Sequence, residues 1–199
     1  MPSTIYDMPL LLEKEENNNT VLVWEISEPL ENLISLTSNI DCSHLKSDKR
    51  KKEFLACRIL LNHFDKNLKI SYSENGSPNL NNHQCVSVSH SGDLVCIIIS
   101  DEEIGIDIEK ISEKSLRLKE KFINSHHTKL NKEKSTLIWC IKEAVFKFHK
   151  IGNVDFIKDI SVPEFILKEN GEIDISFKNN TLKSYYFKVG NSYLAYVCK

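Results

Sequence analysis

Three strand-like runs follow one another between residues 85 and 109: "CVSVSHS", "LVCIIIS" and "IGIDIE". Only "GD" separates the first two, between apolar runs, which is a β-hairpin signature. "DEE" (101–103) breaks the apolar stretch before the third run and is the expected boundary between two halves of the chain. A long helix is predicted on each side. Residues 47–62, "SDKRKKEFLACRILLN", carry Phe54, Leu55, Ile59 and Leu61 as an apolar stripe behind a Ser47 or Asp48 cap. Residues 136–149 place Leu137, Ile138, Ile141, Ala144, Val145 and Phe148 on one broad face, with Gly152 just beyond the end.

The other expected elements are short. Residues 21–26 read as the first strand, 29–34 as the start of a helix and 69–73 as a strand. "ENGSPNLNN" (74–82) reads as a loop. In the second half, 112–124 reads as a helix and 125–135 as a loop or short helix. Residues 160–198 read as three strands with turns at "ENGE" and "KNNT". Helices beside antiparallel strands give an α+β class, not α/β. The expected architecture is two similar α+β halves, 1–101 and 102–199, each an antiparallel sheet packed with a long helix.

With 199 residues, 41% hydrophobic and 27% charged, the chain has an ordinary globular composition. A formal net charge of −2 speaks against a nucleic-acid binder. Six cysteines without a C-x-x-C pair read as reduced core thiols. The opening "MPSTIYDMPLLLEKEENNN" has no basic region and only a three-leucine run, so it is not expected to be a signal peptide. No apolar stretch is long enough for a membrane span. The expectation is a cytoplasmic protein with no nucleic-acid or membrane partner.

Period 2 across 104–109 sends Ile104, Ile106 and Ile108 to one face and Gly105, Asp107 and Glu109 to the other. The carboxylates then stand about 7 Å apart at their Cα atoms on a face expected to be wet. Gly105 is expected to leave room for a ligand to approach the backbone. Two neighbouring carboxylates repel unless a cation lies between them, and Mg²⁺ suits oxygen ligands of this kind. By itself the pair also fits a solvated sheet face. In "WCIKEAVFK" (139–147), Glu143 and Lys147 share a helix face with Trp139, while Lys142 points about 100° away. Alone, Glu143 and Lys147 also fit a surface ion pair. Ser89 and His90 in "SVSHSG" can serve as anion contacts or turn residues. The run Lys49 to Lys52, with Arg58, fits a phosphate clamp or a solvated helix face.

The ordered triple "SVSHSGDLV", "IGIDIEKI" and "WCIKEAVFK" resembles the Sfp-type 4′-phosphopantetheinyl transferases, which show "SHS", then "G-x-D-x-E", then "W-x-x-K-E-(A/S)-x-x-K". The resemblance covers roughly residues 46–162. It implies a pseudo-dimer of two α+β halves, the first facing the coenzyme's adenine and 3′-phosphate, the second carrying the metal and catalytic residues. It implies an enzyme that moves the phosphopantetheine arm of coenzyme A onto a serine of an acyl or peptidyl carrier protein, releasing adenosine 3′,5′-bisphosphate. Carriers of fatty-acid, polyketide and nonribosomal-peptide synthesis are the partner class, and the two-half chain suggests a monomer. Asp107, Glu109 and Glu143 would hold Mg²⁺, with Mn²⁺ as the alternative. Glu143 would be the base and Lys147 would grip the pyrophosphate beside Lys142. Ser89 and His90 would contact the coenzyme's phosphates, and Lys49, Lys52 and Arg58 its 3′-phosphate. The family's "G-K-P" loop reads "NGSPNL" here, with Ser77 in place of the lysine. The acidic residue usual in the family after a phenylalanine is missing from "KFINSHHTKL". The competing reading is a non-catalytic module that binds coenzyme A, or a nucleotide with a metal.

Overall fold

A computed structural model of the chain describes residues 10–16, 18–37, 40–123 and 127–199. The expectation for the first nine residues lies outside these, as do residues 124–126 of the segments at 112–124 and 125–135.

The chain is α+β with antiparallel sheets throughout. The first sheet has the order β1-β2-β6-β5, built from Leu10–Glu16, Asn19–Glu25, Leu94–Ser100 and Cys85–Ser91. The second has the order β7-β11-β10-β9-β8, from Ile104–Lys110, Ser192–Cys198, Asn180–Val189, Asn170–Phe177 and Ile160–Ser161. A small ribbon pairs β3 (Ile70–Tyr72) with β4 (Pro78–Leu80). The long helices are α2 (Asp48–Phe64) and α4 (Lys132–His149). The short ones are α1 (Leu30–Leu36) and α3 (Glu113–Arg117), the latter followed by a 3₁₀ turn at Lys119–Lys121.

Both long helices start on a side-chain cap. Ser47 Oγ accepts from Arg50 N at 3.3 Å, and Asn131 Oδ1 accepts from Lys134 N at 2.8 Å. Each cap satisfies one backbone donor that the first turn leaves open. The Asn131 cap starts α4 four residues before the predicted 136, because Lys134, Ser135 and Thr136 are buried and continue its core face. Three hydrophobic clusters hold the layers together. Leu55, Leu60 and Trp24 lie in the one under α2. Leu137, Ile141 and Val145 lie in the one under α4. The third joins Val21, Val23 and Ile98 of the first sheet to Ile104, Ile106, Ile108 and Leu194 of the second. The three isoleucines of β7 thus enter the core as their spacing predicts.

Other expectations need correction. The first described strand is β1, whose "LLLEKEE" alternates half-buried and exposed positions as an edge strand of the first sheet. Its apolar residues are packed at one end, so the run reads as a cluster and not as an alternation. "ENGSPNLNN" contains β4, since Pro78 and Leu80 pair with Tyr72 and Ile70. Of 112–123, only α3 and the 3₁₀ turn are helical. "ENGE" is no turn between strands: Asn170 already pairs with Phe187. The expected turn at "KNNT" is present, joining β9 to β10, and the last turn falls at Gly190, with φ +56°.

Gly105 differs most from expectation. A Cβ built there would lie 2.1 Å from Ala144 O and 2.5 Å from Phe148 N. The space on that face of β7 is filled by the backbone of α4, not left for a ligand. Gly105→Ala must push α4 off the strand. The expected cost is about 3 kcal/mol or more, checked by denaturant unfolding; a variant within about 0.5 kcal/mol of the parent would refute the close approach.

Candidate active site

The three carboxylates act on one another through their charges where β7 packs against α4. Asp107 is buried, 4% exposed, so its face of the strand is not the wet one expected. Its Oδ1 accepts from Lys147 Nζ at 2.7 Å and from Ser89 Oγ at 2.7 Å. Glu109, two residues on, accepts from Trp139 Nε1 at 3.2 Å and from Ser91 Oγ at 3.1 Å. Glu143 is half-buried on α4, one turn before Lys147.

The serines of β5 explain how the two sheets join here. Ser87, Ser89 and Ser91 recur with period 2 and all reach β7. Ser87 Oγ accepts from Ile106 N at 3.1 Å, Ser89 donates to Asp107, and Ser91 accepts from Lys110 N at 3.0 Å while donating to Glu109. The edge of one sheet is thus bonded to the edge of the other through hydroxyls. The same alternation puts His90 on the opposite face, with Val86 and Val88 along a cavity of about 470 Å³. Sequence reasoning assigned Ser89 to a ligand; the structure sets it on Asp107. The alternating serines were the legible signal.

Charge is compressed in this site. Burial first, then the Asp107 charge, push the Glu143 carboxyl up to about 7, and Lys147 opposes them. Glu109 is raised for the same two leading reasons, against its bonds from Trp139 and Ser91. The Lys147 ammonium is held above the usual lysine range: burial opposes its charge, and Asp107 outweighs that through both attraction and its hydrogen bond.

Other predicted site residues lie elsewhere. Lys142 is 2% exposed, and its Nζ donates to the carbonyls of Phe156 and Ile160. Burial lowers its pKa to about 8. It ties the loop after α4 to the helix and does not meet the carboxylates. Lys142→Met is expected to leave both carbonyls unpaired and to cost about 2–4 kcal/mol, read as a lower midpoint in urea. Lys52 Nζ donates to Glu28 O at 2.7 Å. Lys49 is largely exposed, 3.9 Å from Glu53. Arg58 stacks on Phe54, with its guanidinium carbon 3.3 Å from the ring centroid, and donates to Phe54 O. Arg50, Glu53 and His90 instead form the polar end of the first cavity, which Lys147 also lines. A second cavity of about 530 Å³ opens beside Glu109 and Trp139, with Lys110, Lys114 and Lys121 at its rim.

Residues 103–198 match the sequence model of the 4′-phosphopantetheinyl transferase superfamily. This half of the chain belongs to that superfamily. The comparison with curated proteins finds no match. The matched superfamily domain contains Asp107, Glu109, Glu143 and Lys147; α2 and β5, with His90, precede it. Superfamily membership supports phosphopantetheine transfer in general, with coenzyme A and a carrier protein as partners and a divalent metal in general use. The donor set suits such a cation: all three groups are hard oxygen ligands, and Asp107 Oδ2 is buried without a hydrogen-bond partner. Among the described residues no group of three or more His, Cys, Asp or Glu side chains is placed to hold a metal ion as it stands. No helix among the described residues is long and apolar enough to cross a membrane. All six cysteines are free.

Proposed function

We propose that the protein transfers the 4′-phosphopantetheine arm of coenzyme A to a serine of an acyl or peptidyl carrier protein and releases adenosine 3′,5′-bisphosphate. The observation that carries the reading is the convergence of Asp107 and Glu109 from β7 with Glu143 and Lys147 from α4, between two cavities. We further propose that 1–101 and 102–199 act as two α+β halves in a cytoplasmic monomer. The first cavity takes the nucleotide end of the coenzyme; the second faces the carrier.

Glu143 accepts the proton of the serine hydroxyl, directly or through a water. Its pKa of about 7 suits a base that works near neutrality. The serine oxygen forms a bond to the phosphorus that carries the pantetheine, and the bridging P–O bond of the pyrophosphate breaks. Negative charge then grows on the departing nucleotide phosphate. Lys147, fixed by Asp107, neutralises part of it. Asp107, Glu109 and Glu143 would hold Mg²⁺ (or Mn²⁺), which supplies further neutralisation of the pyrophosphate. Trp139 and Ser91 keep Glu109 oriented by bonding one carboxylate oxygen each.

Incubation with an apo carrier protein, coenzyme A and Mg²⁺ tests this. The expected result is a carrier heavier by one phosphopantetheine in the mass spectrum, with no gain after chelation of the metal. Coenzyme binding without any gain across a panel of carriers would favour the non-catalytic module.

A further inference from the structure

The polar end of the first cavity holds an acid that the transfer chemistry leaves unused. Glu53 of α2 is 7% exposed, between Arg50 of its own helix and His90 of β5. Its Oε2 accepts from Arg50 Nη1 at 3.2 Å, and its Oε1 lies 3.3 Å from His90 Nδ1. The other ring nitrogen, Nε2, lies 2.9 Å from Arg50 Nη1. A guanidinium only donates and a carboxylate only accepts. These contacts leave one arrangement for the ring. The lone pair on Nε2 accepts from Arg50, so the proton of the neutral ring sits on Nδ1, the nitrogen nearer Glu53. His90 is therefore neutral in this state. Burial holds its pKa below the usual imidazole value, with Arg50 and Lys147 adding to the effect and Glu53 opposing it.

An arriving phosphate changes the balance. It is a stronger acceptor for a guanidinium than an imidazole nitrogen is. When Arg50 turns Nη1 to the phosphate, His90 Nε2 is left with its lone pair facing an anion. Protonation of Nε2 converts that repulsion into a donated hydrogen bond. Glu53, 3.3 Å from Nδ1, stabilises the imidazolium from behind through its charge. The other charged groups around this cavity are Lys49 on α2, beside Glu53, Lys147 on α4, and Lys150 just past its end. Ser89 and Ser91, beside His90 in sequence, face β7.

We infer that Glu53 is a positioning residue that converts His90 from acceptor to donor, so that capture of a phosphate monoester here takes one proton from solvent onto His90 Nε2. No covalent bond to phosphorus changes in this step. The inference rests on the reading that the cavity takes the nucleotide end of coenzyme A, and it adds how that end is gripped and which acid controls the grip.

Titration calorimetry of the full chain with adenosine 3′,5′-bisphosphate, in buffers of different ionisation enthalpy, counts the protons. At pH 7.5 a phosphate monoester, whose second pKa is about 6, is already mostly a dianion. The wild type is expected to take up about 0.5–1 proton per nucleotide. Glu53→Gln is expected to take up less than about half of that and to bind about tenfold more weakly. His90→Gln is expected to take up none. Buffer-independent binding by the wild type would overturn the inference, as would full uptake by Glu53→Gln. Should Glu53→Gln not fold, uptake persisting in His90→Gln overturns it equally. A wild type that binds no nucleotide is a different result: it removes the coenzyme reading of the cavity and this inference with it.

Discussion

Glu143→Gln is expected to lower turnover by roughly 10²–10⁴-fold, the range set by loss of a positioned base, and to leave the fold intact. Glutamine keeps the shape of the side chain and removes its charge. That charge is a burden in the folded protein, because burial and Asp107 both disfavour it. A group whose pKa rises on folding contributes stability below its unfolded pKa and loses it as pH rises through the folded value. For Glu143 that window runs from the ordinary glutamate value of 4.5 to about 7. Metal-free wild type is therefore expected to lose melting temperature from pH 5 to pH 8. Glu143→Gln loses less, with Glu109 contributing the remaining slope in the same direction. Thermal melts of both proteins in a chelator check the stability side, and single-turnover transfer checks the chemistry. A variant retaining half of wild-type turnover would remove Glu143 from the base role.

Asp107→Ala is expected to lose activity and stability together. Its Oδ1 is the acceptor for both Lys147 Nζ and Ser89 Oγ. Removal leaves a half-buried ammonium and a buried hydroxyl without that partner. Breaking a fully buried pair costs about 3–5 kcal/mol. Lys147 is 28% exposed, so water offsets part of the loss; about 2–3 kcal/mol is expected here. For a chain of this length that is a fall of roughly 4–12 °C in melting temperature. Asp107→Ala with Lys147→Met should recover much of the stability and none of the activity. A single variant that melts with the wild type would show that Lys147 does not depend on Asp107.

The faces of the candidate carboxylates were legible because they depend on local periodicity, while their union into one site was implied only by the family resemblance. Asp107 and Glu109 share a strand face by period 2, and Glu143 and Lys147 share a helix face by spacing of four. What these residues do to each other was not legible. Whether Asp107 faces water or a lysine depends on the distance between β7 and α4, and that distance is set by Gly105, whose missing side chain admits the helix backbone. The same holds for Lys142. Its neighbour in sequence is Glu143, but its partners are carbonyls 14 and 18 residues further on. The basic run of α2 could not be sorted either. Lys52 and Arg58 bond backbone carbonyls, at Glu28 and Phe54, while Arg50 alone of the four basic residues at 49–52 bonds His90.

The sequence by itself determined the β5–β6 hairpin, the strand at 104–109, the two long helices, the α+β class and which faces the candidate acidic residues share. Turn residues, apolar periods and motif order are properties of short segments, readable without neighbours. Tertiary structure alone decided that the serines of β5 join the sheets, that Asp107 is buried against Lys147, and that Arg50 and Glu53 flank the ring of His90. Each of these is a contact between segments far apart in the chain, where burial turns an ordinary polar side chain into one whose partner decides its charge.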